Sequence, residues 1–477
     1  MHGAAAGFHE TLRAMRFSFL ALVLSIFGVA ISGTAIAAPI SVPHTKTTLK
    51  NGLTVILAED HAVPRVYMSV RFNVGSSRET PGRTGFAHLF EHLMFEGSAH
   101  VPEGKFDQWL EGAGGENNAY TSEDETYYYE EVPANSVELP LFLDSDRMGF
   151  FAETLVDDVV DKQRDIVKNE RRQSYENRPW GKAELLLPQA LWPKGHPYSW
   201  PVIGSMDDLT AASIKDVRDF YTKWYAPENA TLVIVGDFKT SEMSKLVAKW
   251  YGDVPARGVV LPKPRPDSAR GRMHTLAGEK RIVVEDEIAP LPKLSITWPT
   301  VELFHPDDAA LDLLSSVLAQ GAGARLQKRL VHELQIAQSV SAAQHSMQLA
   351  GLLQIEIIAQ PGVTLPQIIK VVDEELATLR RDGVRADELT RAKNQIETAT
   401  ADALDSLGGK AGKLSAYQTL LGEPDAFERD LARYRAATAV SLVEVANRRL
   451  GKGRVVLSVV PKGRLDLAVI NPGRGAK

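Results

Sequence analysis

Residues 88 to 92 read His-Leu-Phe-Glu-His, and this run could do hydrolytic chemistry. On a helix, positions four apart share a face. His88 and His92 can therefore present both imidazoles to one zinc ion, with Glu91 at the edge of the same face. A carboxylate there can take a proton from a metal-bound water, whose pKa the ion lowers toward neutrality. Catalytic zinc usually has three protein ligands and a water, so two histidines leave the site one ligand short. The chain contains no cysteine, which leaves Asp, Glu or another His for the third place. Glu153, Glu170 and Glu176 are candidates that the residues alone do not separate.

The flanking sequence supplies elements to hold that run. Residues 53–57 and 66–74 are apolar and β-rich, the second alternating between two faces, and predict two strands. A helix over 85–96 follows them. The order then recurs. Residues 281–284 and 294–298 are strand-like, and 307–319 predicts a helix with Leu311, Leu314, Val317 and Leu318 on its apolar side. Each half has a further strand run, at 230–235 and 455–460, and a long amphipathic stretch, at 157–178 and 366–381. The pattern predicts an α+β fold of two homologous domains, each a mostly antiparallel sheet with helices packed on one face. The expected boundaries are 39–258 for the domain carrying the motif, 259–272 for a Pro- and Arg-rich linker, and 273–477 for a second domain. The second half has no His-x-x-Glu-His, so one metal per chain is expected.

Composition removes several classes. The absence of cysteine excludes disulfide scaffolds, thiolate metal sites and cysteine nucleophiles. Apolar residues at 44% and charged residues at 24% are those of a globular body, and the net charge of −6 argues against a nucleic-acid partner. Arg13 and Arg16, the apolar run 17–30 and Ala35-Ile-Ala37 read as a secretory signal peptide over residues 1–38, which implies export. Residues 17–38 are also just long enough to act as an uncleaved membrane anchor. Nothing later in the chain is apolar enough to span a bilayer.

His88-x-x-Glu91-His92 has the inverted order of the inverzincins. Its context, Thr84-Gly-Phe-Ala-His-Leu-Phe-Glu-His-Leu-Met-Phe-Glu-Gly-Ser98, closely resembles the pitrilysin and mitochondrial processing peptidase family. Asn117-Asn-Ala-Tyr-Thr, His196-Pro-Tyr and Tyr225-Ala-Pro-Glu-Asn-Ala resemble it too, and the bacterial two-domain members are the most similar. The resemblance implies a zinc endopeptidase acting on peptides or unfolded protein segments, with Glu91 as general base. It implies Glu170, 78 residues after His92, as third ligand. Where many relatives carry a supporting Glu, this chain has Gln163. Asn118 and Ala119 match the edge strand to which substrate adds as an extra strand. Arg325, after Gln320-Gly-Ala-Gly-Ala, matches an arginine that pairs with a tyrosine to hold substrate, but that tyrosine position is Gln338 here.

Family members enclose substrate with four such domains, so a two-domain chain implies a dimer, and Gln338 favours a heterodimer with a related non-catalytic chain. The rival expectations are a non-catalytic subunit and a zinc-storage protein. Nitrogen and oxygen ligands also suit Mn or Co.

Overall fold

The structure, a computed structural model, describes residues 40–259 and 274–470. The expected leader lies outside the described residues, as does the expected linker apart from Val259.

Strands form where β-branched and aromatic residues run together, and the central ones are buried on both faces. The first half contains β1 (Thr45–Thr48), β2 (Thr54–Glu59), β3 (Arg65–Phe72), α1 (Phe86–Leu93), α2 (Lys105–Gly112), β4 (Glu116–Thr121) and β5 (Thr126–Pro133). It continues with α3 (Glu138–Thr154), α4 (Asp157–Arg171), three short helices α5 (Gly181–Glu184), α6 (Leu187–Leu191) and α7 (Met206–Ala211), then α8 (Ile214–Trp224), β6 (Ala230–Gly236) and α9 (Thr240–Tyr251). The second half contains β7 (Lys280–Asp286), β8 (Lys293–Thr300), α10 (Asp308–Ala319), β9 (Ala337–Ser346) and β10 (Gly351–Ala359). Five helices follow, α11 (Leu365–Asp382), α12 (Ala386–Ala403), α13 (Leu407–Leu421), α14 (Phe427–Ala436) and α15 (Ala439–Arg449), and β11 (Val455–Pro461) completes the sheet.

The sheets run β1-β2-β6-β3-β5-β4 and β7-β11-β8-β10-β9. In each, one pair is parallel, β2 with β6 and β7 with β11, and the other pairings are antiparallel. Removing β1 makes the two orders equivalent strand for strand, so the duplication seen in the sequence is a duplication of topology. Each half also carries its helix between the equivalent strands, α1 between β3 and β4, α10 between β8 and β9.

One feature extends the expected plan. Val55, Leu57, Met68, Val70, Leu232 and Ile234 face the first half's own helices. Their neighbours Ile56, Ala58, Tyr67, Val233 and Val235 face Leu407, Ala411, Leu414 and Tyr417 of α13. The second half thus lays a helix on the back of the first sheet. Gly408 permits this approach, since a Cβ there would meet the Tyr67 ring at 2.9 Å. Leu414, fully buried on α13, contributes about 2 kcal/mol to holding the halves together. Arg71, almost fully buried on the same face, pairs with Glu125 and donates to Ser415 Oγ at 3.0 Å.

Candidate active site

The motif helix is fixed at its start and along its apolar side. Gly85 precedes α1 with φ of 89°, and a Cβ there would meet the Ile203 carbonyl at 2.9 Å, so the position requires glycine. The free N–H groups of Gly85 and Ala87 donate to the two oxygens of buried Glu79, at 3.0 and 2.8 Å. Burial pushes the Glu79 carboxyl up to about 8, against those two donors, which favour its charged form. Phe86, Leu89, Phe90 and Leu93 enter the core, and Phe90 stacks on Tyr221 and Tyr225. That leaves His88, Glu91 and His92 on the remaining side.

Helix α4 supplies the opposite wall. Its inner face runs Val160, Gln163, Val167, and Glu170 is next on that face near the helix end. Asp157 and Asp158 in the first turn and Lys168 and Arg171 in the last suit the helix dipole. A π turn over Arg172–Glu176 follows the helix directly, a geometry common beside functional residues.

The three candidate ligands meet. His92 Nε2 lies 3.2 Å from Glu170 Oε2, and His88 Nε2 lies 3.5 Å from the same oxygen. One ligand atom from each residue falls within 4.8 Å of the others. Ligands about 2.1 Å from a tetrahedral zinc stand about 3.4 Å apart, so the two His–Glu spacings fit such an ion. Burial also holds the His88 imidazole well below its ordinary pKa, which keeps it neutral with a lone pair available. Glu170, bonded to His92, lies below the usual carboxylate range. Of the three residues that spacing left open, Glu170 is the one brought to both histidines.

Glu91 is placed by a residue that the sequence reading did not single out. Thr121, the last residue of β4, donates its hydroxyl to Glu91 Oε2 at 2.6 Å. Burial raises the Glu91 carboxyl, and the Thr121 bond works against that rise. Thr121 could have been found from alternation: in β4, Asn117, Ala119 and Thr121 face the helices, while Asn118 and Tyr120 face away and are exposed.

Among the described residues β4 pairs only with β5, which leaves its other edge open. The Ala119 N–H belongs to that open edge, where it donates to the Asn118 side chain at 2.8 Å. Asn118 is thus on the strand, but its side chain points to the face opposite Glu91. Gln163 does not reach Glu170. It is buried and donates to Glu96, just past α1, and so ties the two ligand-bearing helices together.

Arg325 lies elsewhere. Its guanidinium donates to both oxygens of Glu388, at 2.9 and 2.6 Å, and to the Gly383 carbonyl at 2.7 Å, inside the second half. Other histidines have structural partners: His44 with the Val42 carbonyl, His61 with Asp237, His100 with Asp146, His196 stacked on Trp192, and His305 accepting from the Asp307 N–H. His196-Pro-Tyr has a role in the fold. The Tyr198 hydroxyl donates to buried Asp124 and accepts from the Leu349 N–H, and Asp124 also accepts from the Gln348 N–H. This network joins the β4–β5 turn to the β9–β10 turn of the other half.

Comparison with known proteins agrees with this architecture. Residues 54–197 match the family described as "Insulinase (Peptidase family M16)" and residues 211–396 match "Peptidase M16 inactive domain". A relative in Helicobacter pylori, "Zinc protease PqqE", is 29% identical over 383 residues, covering 78% of this chain and 83% of its own. The crystal structure of a protease from Helicobacter pylori superposes with a TM-score of 0.81 at 25% identity, over 88% of this chain and all of that one. The periplasmic protease PqqL of Escherichia coli shares the fold, with a TM-score of 0.72 at 21% identity. There the match takes 92% of this chain but 52% of the longer one. The two matched regions, the paired sheets and the named zinc proteases among its relatives make this chain a member of the M16 peptidase family.

Proposed function

We propose that this chain is an exported zinc-dependent endopeptidase that cleaves peptides or unfolded protein segments. The observation that carries the reading is the convergence of His88, His92 and Glu170 on one point, beside a Glu91 that the end of an open edge strand holds in place. His88 and His92, through Nε2, and Glu170, through Oε2, would hold one zinc ion. A zinc ion bound there supplies a Lewis acid for the peptide carbonyl and makes water easier to deprotonate. Glu91 takes the proton of the attacking water and passes it to the leaving nitrogen. Thr121 occupies Oε2, so Oε1 is the oxygen left free for this transfer. Substrate lies extended along β4, where the Ala119 N–H exchanges the Asn118 side chain for a substrate carbonyl. The proposed division is a catalytic domain over 39–258, a linker over 259–272 and a non-catalytic domain over 273–477. Export rests on the leader-like residues 1–38 and on the similarity to the periplasmic protease PqqL of Escherichia coli. Among the described residues no helix is long and apolar enough to cross a membrane.

The test is hydrolysis of an unstructured quenched peptide library by the purified chain. Chelator-sensitive cleavage is expected, with Glu91→Gln retaining zinc but losing about 10³-fold in kcat/KM. Full activity in that variant removes Glu91 from the mechanism.

A second reading has its own support. This chain spans about half of the Escherichia coli neighbour, and Gln338 stands where the resemblance expects a tyrosine. The chain would then work as a dimer, either of two copies or with a related non-catalytic chain. A zinc-loaded chain that cleaves only when such a partner is added would establish it.

A further inference from the structure

The β4 edge strand does not end in solvent. Beyond Thr121 the chain turns through residues 122–125, and this turn forms one wall of a cleft of about 790 Å³. The facing walls belong to the second half, from the β9–β10 turn and from α13. The cleft therefore continues the open edge on the side toward the other domain.

Most charges in its walls are committed. Arg71 is paired with Glu125. Asp124 is buried and accepts from Tyr198, Ser77 and the Gln348 N–H. Lys413, on α13, lies over the Tyr417 ring at 6.0 Å. Glu123 differs. It is half-buried, and its carboxylate meets no cation and no donor from another residue among the described residues. Burial raises its carboxyl above the usual range with only its own backbone N–H opposing. A carboxylate taken from water without a partner is costly, and a cation entering the cleft would offset that cost. Glu123 lies two residues past Thr121, the residue that holds the base, and so continues the strand that substrate would extend.

We propose that Glu123 forms a subsite for a cationic group on the substrate, either an arginine or lysine side chain or a free N-terminal ammonium. This deepens the peptidase reading and rests on it. Hydrogen bonds from the cation to the Glu123 carboxylate set the preference, at a position along the peptide fixed by its register on β4.

The experiment uses quenched peptides in which each position carries Arg, Gln or Glu in turn, with free and acetylated N-termini. The quantity read is the ratio of kcat/KM for Arg to that for Gln at the same position. Wild type should show a ratio of about ten at one position, the size expected of a hydrogen bond between charged groups. Glu123→Gln should bring the ratio to near one, and Glu123→Lys should favour Glu there instead. Where the reversed variant does not fold, the nearly isosteric Glu123→Gln decides. Loss of a preference on acetylation assigns the ammonium, and its persistence assigns the side chain. A wild-type ratio near one throughout, in an enzyme that cleaves, overturns the subsite and leaves the peptidase reading standing. So does a preference that both variants keep. A zinc-loaded wild type that cleaves none of the peptides overturns the reading beneath it.

Discussion

The two halves hold the same helix in the same place and use it differently. Each of α1 and α10 leaves the equivalent sheet strand, and each is followed by a glycine at positive φ, Gly97 and Gly321. Counting back from those glycines, His88, Glu91 and His92 correspond to Asp312, Ser315 and Ser316. The seam between helices is also retained. His92 meets Glu170 on α4, and Ser316 meets Gln395 on α12 through a hydrogen bond. Yet α10 is buried along nearly its whole length, whereas Glu91 and His92 are only partly covered. In the second half α14 lies over the helix, with Arg433 on Asp308 and Tyr434 on Asp312. The duplicated fold therefore carries no chemistry by itself. Ligand residues and an open seam make one copy a candidate site, and small residues and a covering helix make the other a support.

That contrast can be broken most severely by giving the first half the second half's residues. His88→Asp with His92→Ser should abolish zinc binding and cleavage together, read by metal analysis of the folded protein and by peptide hydrolysis. Retention of zinc in that variant would place the metal elsewhere. A smaller effect tests the strand's hold on the base. Thr121→Val removes the donor to Glu91 and should lower kcat about tenfold, the usual scale for loss of a supporting contact, with zinc content unchanged. Thr121→Ser should restore it. A change in KM alone would mean that Thr121 touches substrate instead of positioning Glu91.

How much of this was legible in the sequence follows from the range of each interaction. His88, Glu91 and His92 are one helical turn apart, so spacing shows their shared face. Short apolar, β-rich runs placed β2, β3, β6 and their second-half equivalents near their observed limits, because such a run is a local signal. Glu170 needed the resemblance, since nothing local separates it from Glu153 or Glu176. Thr121, Glu79 and the Tyr198–Asp124 network escaped notice because their partners lie across the fold. The α13 contact escaped for the same reason. An amphipathic helix shows that it buries a face, but not against which sheet.

Arg325 is where a motif match and the local chemistry diverge. The resemblance implies a substrate contact, while Glu388 and the Gly383 carbonyl already engage the guanidinium. Both side chains of the pair are largely withdrawn from solvent, at 9% and 1% exposure. Arg325→Ala would leave the Glu388 carboxylate with Arg385 alone, through its guanidinium and its backbone N–H, and should cost about 2 kcal/mol in chemical denaturation. A raised KM with unchanged stability would return Arg325 to the substrate.

The smallest expected effect isolates what the second half lost with its histidines. Asp312 stands where the first half has His88, and burial pushes its carboxyl up to about 7 from an ordinary value near 3.8. Between those values the folded state binds more protons than the unfolded one. Stability contributed by this group therefore falls as pH rises from about 4 to about 7, and above that the ionised carboxylate is a standing cost. Tyr434 donates to it at 2.7 Å, and an amide oxygen can accept the same bond. Asp312→Asn should then stabilise the protein at pH 8 by roughly 1–2 kcal/mol, after the cost of a buried NH₂ is set against the gain, and by nothing at pH 4. Denaturation at the two pH values reads the difference directly. An equal effect at both would mean that the carboxylate is solvated, and that the second helix is not closed over its seam in the way that separates it from the first.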